Sequence, residues 1–233
     1  MFSPHLYHHF KAYSVAHFTM IGIFLAGVFV MIRGRAFFAR HASFTAQTLF
    51  FLLIFLEGGY QIWLLRTDLW NWKTSLPLDL CSINTYLCII LLYSKRYSLF
   101  EILYFIGISG ELQAIFTPAL SYSFPHFRFF HFFIVHAVVI WSILFFVFVK
   151  CYKVSFTSLG KSLLFLHAAA AVAFLVNTVT GGNYMFLAHK PKTASLLDVL
   201  GPYPWYILSI EGVTLCFFVL LWLPFWMPKK RLE

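Results

Sequence analysis

Residues 124–136 read FPHFRFFHFFIVH, and the chain continues through AVVIWSILFFVFV to residue 149 without a polar break. A run this long and apolar reads as a membrane-crossing helix. Its first half nevertheless carries His126, Arg128, His131 and His136. Ionisable side chains are costly in hydrocarbon, and where they occur they mark a site by default. The segment therefore predicts both a membrane fold and a polar pocket near one membrane face.

The rest of the chain is of the same kind. Of 233 residues, 61% are hydrophobic and 11% charged, and the mean hydropathy is +0.81. Soluble domains carry about a quarter charged residues, so this composition excludes one and leaves no room for a separate soluble unit. We expect a single transmembrane domain over 1–233, an all-α polytopic bundle of seven helices. The spans fall near 15–32, 44–65, 77–93, 98–116, 129–149, 161–179 and 203–226. Ser14, Ser43 and Ser98, and the prolines Pro77, Pro125 and Pro204, stand where helix starts prefer them. The first run contains His17 and no small-residue cleavage site follows it, which reads as a retained span.

The net charge of +9 comes from basic residues set singly or in short groups between apolar runs. That pattern fits anionic lipid headgroups and excludes a nucleic-acid partner. Counting the amino terminus and the loops after spans two, four and six gives six lysines and arginines, against eleven on the other side. The positive-inside rule then predicts a cell-membrane protein with its amino terminus outside and its carboxyl terminus cytoplasmic. Cys81, Cys88, Cys151 and Cys216 form no CxxC pair and show no ligand spacing. Neither a metal, a cofactor nor a disulfide framework is expected.

With alternate helices running in opposite directions, the polar residues collect on the outer side. Glu57 and Gln61 come late in span two, Asp79, Cys81 and Asn84 early in span three, and Glu111 and Gln113 late in span four. His131 and His136 come early in span five, Asn177 at the end of six and Glu211 near the start of seven. An outward-facing polar cavity is the physical inference. Glu101 is an exception, expected to pair with Lys95 or Arg96 at the inner interface. His167, in the inner half of span six, reads as a packing histidine.

Cys81 lies near a helix N-terminus, where the macrodipole favours a thiolate, and it shares a face with Asn84 and Cys88 at spacing i, i+3, i+7. It is either a nucleophile or a small packing residue. His131 and His136 are candidate bases because imidazole titrates near neutrality. Five residues apart on a helix, they point in different directions. Lys190 and Lys192 flank Pro191 in the loop after span six and, with Arg128, make a candidate clamp for a phosphate or carboxylate. Asn183, Tyr184 and Trp205 belong to the same substrate-binding rim, and Glu111 and Glu211 are polar groups of the pocket.

The stretches LPLDLCSI (76–83), ISGELQAIFTP (108–118), FPHFRFFHFFIVHA (124–137), NYMFLAHKP (183–191) and ASLLDVLGPYPWY (194–206) resemble the YwaF-type bacterial integral membrane proteins. That family is distantly similar to eukaryotic transmembrane acyltransferases that remodel ether phospholipids through a cysteine. The resemblance implies acyl transfer on a membrane phospholipid, with a thiol as acceptor. The eukaryotic motif places Pro-Cys-His at the helix start, where this chain has Pro77, Leu78 and Asp79, so Cys81 is the nearest thiol. His136 matches the pattern. The leading expectation is a lipid acyl transferase or hydrolase with Cys81 as nucleophile, His136 or His131 as base, and Asn177 or Gln113 donating to the oxyanion. The competing expectation is a non-catalytic receptor-like or carrier protein that binds a lipid or small anionic ligand.

Overall fold

A computed structural model describes residues 2–3, 10–191 and 195–226. The basic residues Lys192, Lys229, Lys230 and Arg231, used above for the clamp and the orientation, lie outside the described residues. Among the described residues there are eight helices and no strand. They are α1 (Val15–Arg33), α2 (Arg35–Arg40), α3 (Ala42–Arg66), α4 (Leu80–Ser94), α5 (Tyr97–Phe116), α6 (Phe127–Phe148), α7 (Phe156–Thr180) and α8 (Trp205–Trp226). Single 3-10 turns at Tyr184–Phe186 and Leu196–Val199 interrupt the loop between α7 and α8.

Six of these helices are long and apolar enough to cross a membrane. The helix α4, at 15 residues, extends about 22 Å at 1.5 Å per residue, short of the ~30 Å hydrocarbon core. It starts three residues later than expected because Asp79 is extended (φ −72°, ψ 146°) and Pro77 stays outside the helix. Ser14 caps α1 as expected. By contrast, α3 and α5 begin before Ser43 and Ser98. An unanticipated capping box between Ser155 and Ser158 starts α7 five residues before the predicted span.

Lipid tails are as apolar as leucine, so hydrophobicity does not separate the inside of such a bundle from its outside. The separation comes from small residues and hydrogen bonds. In the most apolar windows of α5 and α6, 61% and 67% of residues are buried, against 11% in α7 and α8. The central pair is thus α5 and α6, with α3 and α4 packed on it, α1 against α6, and α7 and α8 against α5. Gly27 and Gly107 set two of these approaches. A Cβ at Gly27 would fall 2.2 Å from the Trp141 ring, and one at Gly107 would fall 2.6 Å from Ile143 Cδ1.

Each end of the bundle is tied by polar contacts. Where α5 begins, the Glu101 carboxylate accepts from Ser158 Oγ at 2.6 Å and from Lys161 Nζ at 2.8 Å, while Ser162 donates to its carbonyl. Glu101 therefore pairs with Lys161 across to α7 and not with Lys95 or Arg96, because its face of α5 is the one α7 covers. At the other end, called here the polar end, His17 bonds the Ile115 carbonyl at 2.8 Å and joins α1 to the end of α5.

Filling the contact between α1 and α6 gives a direct test. Gly27→Ala is expected to cost about 1–3 kcal/mol through overpacking against Trp141, read as a lower Tm in detergent. Gly22→Ala, which meets open space, is expected to leave Tm unchanged or slightly raised.

Candidate functional site

The polar end is organised by how α4 begins. Asp79 does not cap its own helix. Its Oδ1 accepts the Met185 N–H at 2.9 Å, from the loop after α7. That loop starts at Gly181, whose φ of +68° ends α7 in the left-handed conformation glycine tolerates. Asn177 then clasps the backbone of Tyr184, donating to its carbonyl at 3.0 Å and accepting its N–H at 2.8 Å. Tyr184, 1% exposed, accepts from Leu76 N at 3.0 Å and donates to the Trp72 carbonyl at 2.8 Å. Burial pushes its phenol above the usual value, which keeps the donating proton in place. Tyr206 of α8 donates to the Phe186 carbonyl. These bonds hold Met185 and Phe186 at φ 56° and 53°, a strained geometry for side-chain-bearing residues that persists only when the surroundings dictate it. The loop is a strap across the segment leading into α4.

Two residues beyond Asp79 comes Cys81. Its Sγ, a carboxylate oxygen of Glu111 on α5 and a ring nitrogen of His136 on α6 all lie within 4.8 Å of one another. Glu111 is fully buried and His136 is 4% exposed. His136 Nδ1 bonds Glu111 Oε2 directly. Glu111 Oε1 accepts from Asn84 Nδ2 at 2.8 Å. Phe132 walls the imidazole edge-to-face at 4.3 Å. A thiol, an imidazole and a carboxylate thus stand in mutual reach in the protein interior. The three side chains are of the types that ligate metal ions. In this arrangement Glu111 and His136 bond each other directly and form a hydrogen-bonded chain with Asn84.

The other predicted residues resolve into separate groups. Arg128 Nη1 donates to His131 Nδ1 at 2.8 Å, and its guanidinium lies 4.1 Å over the Tyr60 ring. A guanidinium has no lone pair to offer, so His131 Nδ1 is the unprotonated nitrogen and Nε2 carries the hydrogen. His131 thus has no free lone pair for a thiol proton. Glu211 meets His167 at 3.0 Å on the exposed flank of α7 and α8, away from the buried cluster, so His167 has a carboxylate partner as well as the Leu163 carbonyl. Both polar ends of the Asn177 amide are occupied by Tyr184, whereas Gln113 stands half-buried two residues beyond Glu111. Asn183 closes its own loop onto Ala188 and His189. Lys190 Nζ sits 5.6 Å over Tyr206, and Trp205 is exposed at the start of α8. A cleft of ≈ 250 Å³ lies beside the strap, lined by residues including Asn177, Gly182, Leu187 and Tyr203. One shared pocket was expected; the side chains instead form a buried relay, a cation-aromatic group and a strap.

Asn84 belongs to the relay, and the sequence reading left it out of the candidate site. The available signal was its i, i+3 spacing from Cys81 on one face. Releasing the strap should expose that face. Asn177→Ala is expected to increase maleimide labelling of Cys81 severalfold and to lower stability by about 1–3 kcal/mol for the orphaned Tyr184 backbone groups. Peptide mass spectrometry and a detergent melt read the two effects.

No curated protein and no solved structure matches this chain. The family model that does match is the TMEM164 family, over residues 12–222, which spans every transmembrane candidate except the last few residues of α8. With that coverage, the chain belongs to the TMEM164 family, a family of transmembrane proteins.

Proposed function

We propose that the protein is a cysteine-dependent enzyme of the membrane that transfers or hydrolyses an acyl group on a phospholipid at the polar end. The observation that carries this reading is the grouping of Cys81 Sγ with a His136 nitrogen, at the first turn of α4. The thiol has a base within reach that can take its proton. His136 takes the thiol proton as sulfur attacks the ester carbonyl. The carbon–oxygen bond breaks, and the departing lipid oxygen takes the proton from the imidazolium. An incoming hydroxyl or water then gives its proton to His136 and attacks the thioester. Cys81 leaves as thiolate and is reprotonated by the imidazolium.

In this scheme His136, not His131, is the base, because His131 is committed to Arg128. Arg128 and Lys190 serve as headgroup cations at the same end, and Gln113 is the remaining amide for the developing oxyanion. Two contacts support a seventh crossing by α4. Its start is bonded to the strap through Asp79, and its far end is met by Tyr152, which donates to the Lys95 carbonyl at 3.0 Å. The lysine and arginine asymmetry orients the polar end outward, with the amino terminus outside.

A second reading rests on Arg128, which has imidazole and aromatic neighbours but no carboxylate within ion-pair distance among the described residues. A non-catalytic receptor-like or carrier protein binding an anionic lipid or small ligand would use such a cation in the same way.

Acyl exchange between phospholipids in proteoliposomes separates the two readings. Cys81→Ala is expected to abolish exchange, and His136→Ala to lower it by about 10²–10⁴-fold. Exchange that survives Cys81→Ala would refute the thiol mechanism. Recovery of bound lipid with no exchange by the unmodified protein would favour the carrier.

A further inference from the structure

We infer that Glu111, held in place by Asn84, is the positioning residue that fixes the tautomer and direction of the His136 ring. The inference rests on the reading of Cys81 and His136 as nucleophile and base. Glu111 touches neither water nor lipid, and its two oxygens are divided between two partners, Asn84 on Oε1 and His136 Nδ1 on Oε2. The Asn84 amide is itself constrained, since Nδ2 also donates to the Ile106 carbonyl at 3.3 Å. Rotating that amide by half a turn would point its oxygen at a carboxylate and a carbonyl, so the donor must face Glu111.

A carboxylate on Nδ1 requires that nitrogen to carry the hydrogen. The basic lone pair then belongs to Nε2, the ring nitrogen that Glu111 leaves free to take a proton. The relay also fixes distance. Asn84 and Cys81 stand one turn apart on α4, so the helix that carries the thiol also holds the group that aims the base. Glu111 on α5 and His136 on α6 join the three helices into one register. Other titratable groups on these elements have different tasks: Asp79 holds the strap, and His131 is bonded to Arg128.

Glu111→Gln keeps the shape and reverses the logic. A glutamine oxygen can still accept from Asn84, but its amide then donates to Nδ1 and moves the imidazole hydrogen to Nε2. The corresponding carboxylate-to-amide exchange in a Ser-His-Asp triad costs about 10⁴ in rate. Iodoacetamide alkylation of Cys81, followed against pH by peptide mass spectrometry in proteoliposomes, reads the thiol directly. In the unmodified protein the profile should report an imidazole-assisted thiolate. Glu111→Gln should move its inflection upward and slow alkylation at pH 7 at least tenfold with little change in Tm. Asn84→Ala, which keeps the carboxylate but frees it to turn, should shift the profile the same way by less and serves as the test if Glu111→Gln does not fold.

The outcomes separate the inference from the reading beneath it. If His136→Ala shifts the profile and neither Glu111→Gln nor Asn84→Ala does, the positioning role is overturned and the thiol–imidazole pair stands. If His136→Ala leaves the profile as in the unmodified protein, the base assignment fails, and the inference fails with it.

Discussion

A carboxylate sealed away from water must find donors within the protein, and Glu111 finds them on two different helices. Its bonds to Asn84 on α4 and His136 on α6 are the constraint on which the polar end depends. In hydrocarbon, van der Waals contact alone holds helices side by side with little preference for rotation or depth. A fully buried acid with one donor on each neighbour supplies both. The cost of leaving such a group unpaired makes the arrangement strongly preferred once the helices are close.

The opposite end uses the same device with different chemistry. There Glu101 gathers Ser158, Lys161 and the Ser162 hydroxyl, fastening α7 to the start of α5. The two acids of α5 thus tie it at both ends, one toward α4 and α6 and the other toward α7. That division explains why α5 is as buried as α6 although its composition is no more apolar than that of its neighbours. Glu101 has a cation and hydroxyls, as befits a structural tie. Glu111 instead has an imidazole and a thiol in reach.

The helices were legible in the sequence because a bilayer demands long apolar runs, and the observed elements follow the expected ones to within a few residues at most boundaries. Starts set by local capping were harder to place. The beginning of α4 depends on Asp79 being drawn to Met185, a partner more than a hundred residues away, and the early start of α7 depends on a serine pair. The spacing of His131 and His136 did show that they face different ways. It did not show which one meets the thiol, because that depends on how α6 is rotated against α5. Glu111 was legible as a buried polar group and not as a partner of His136. Asn177 read as a donor to substrate, whereas a turn that only the folded loop makes visible takes up its whole amide. The Arg128 and His131 contact was the simplest to anticipate, since i, i+3 neighbours meet on any helix.

The strap has a mechanical meaning as well. Few contacts join α8 directly to α4, yet Tyr206 grips the Phe186 carbonyl, and the adjoining Met185 N–H is gripped by Asp79. Three peptide units therefore couple the tilt of the last helix to Asp79, two residues before the thiol-bearing one. A bilayer whose thickness changes the lean of α8 pulls on the entrance to α4 through a tether too short to slacken.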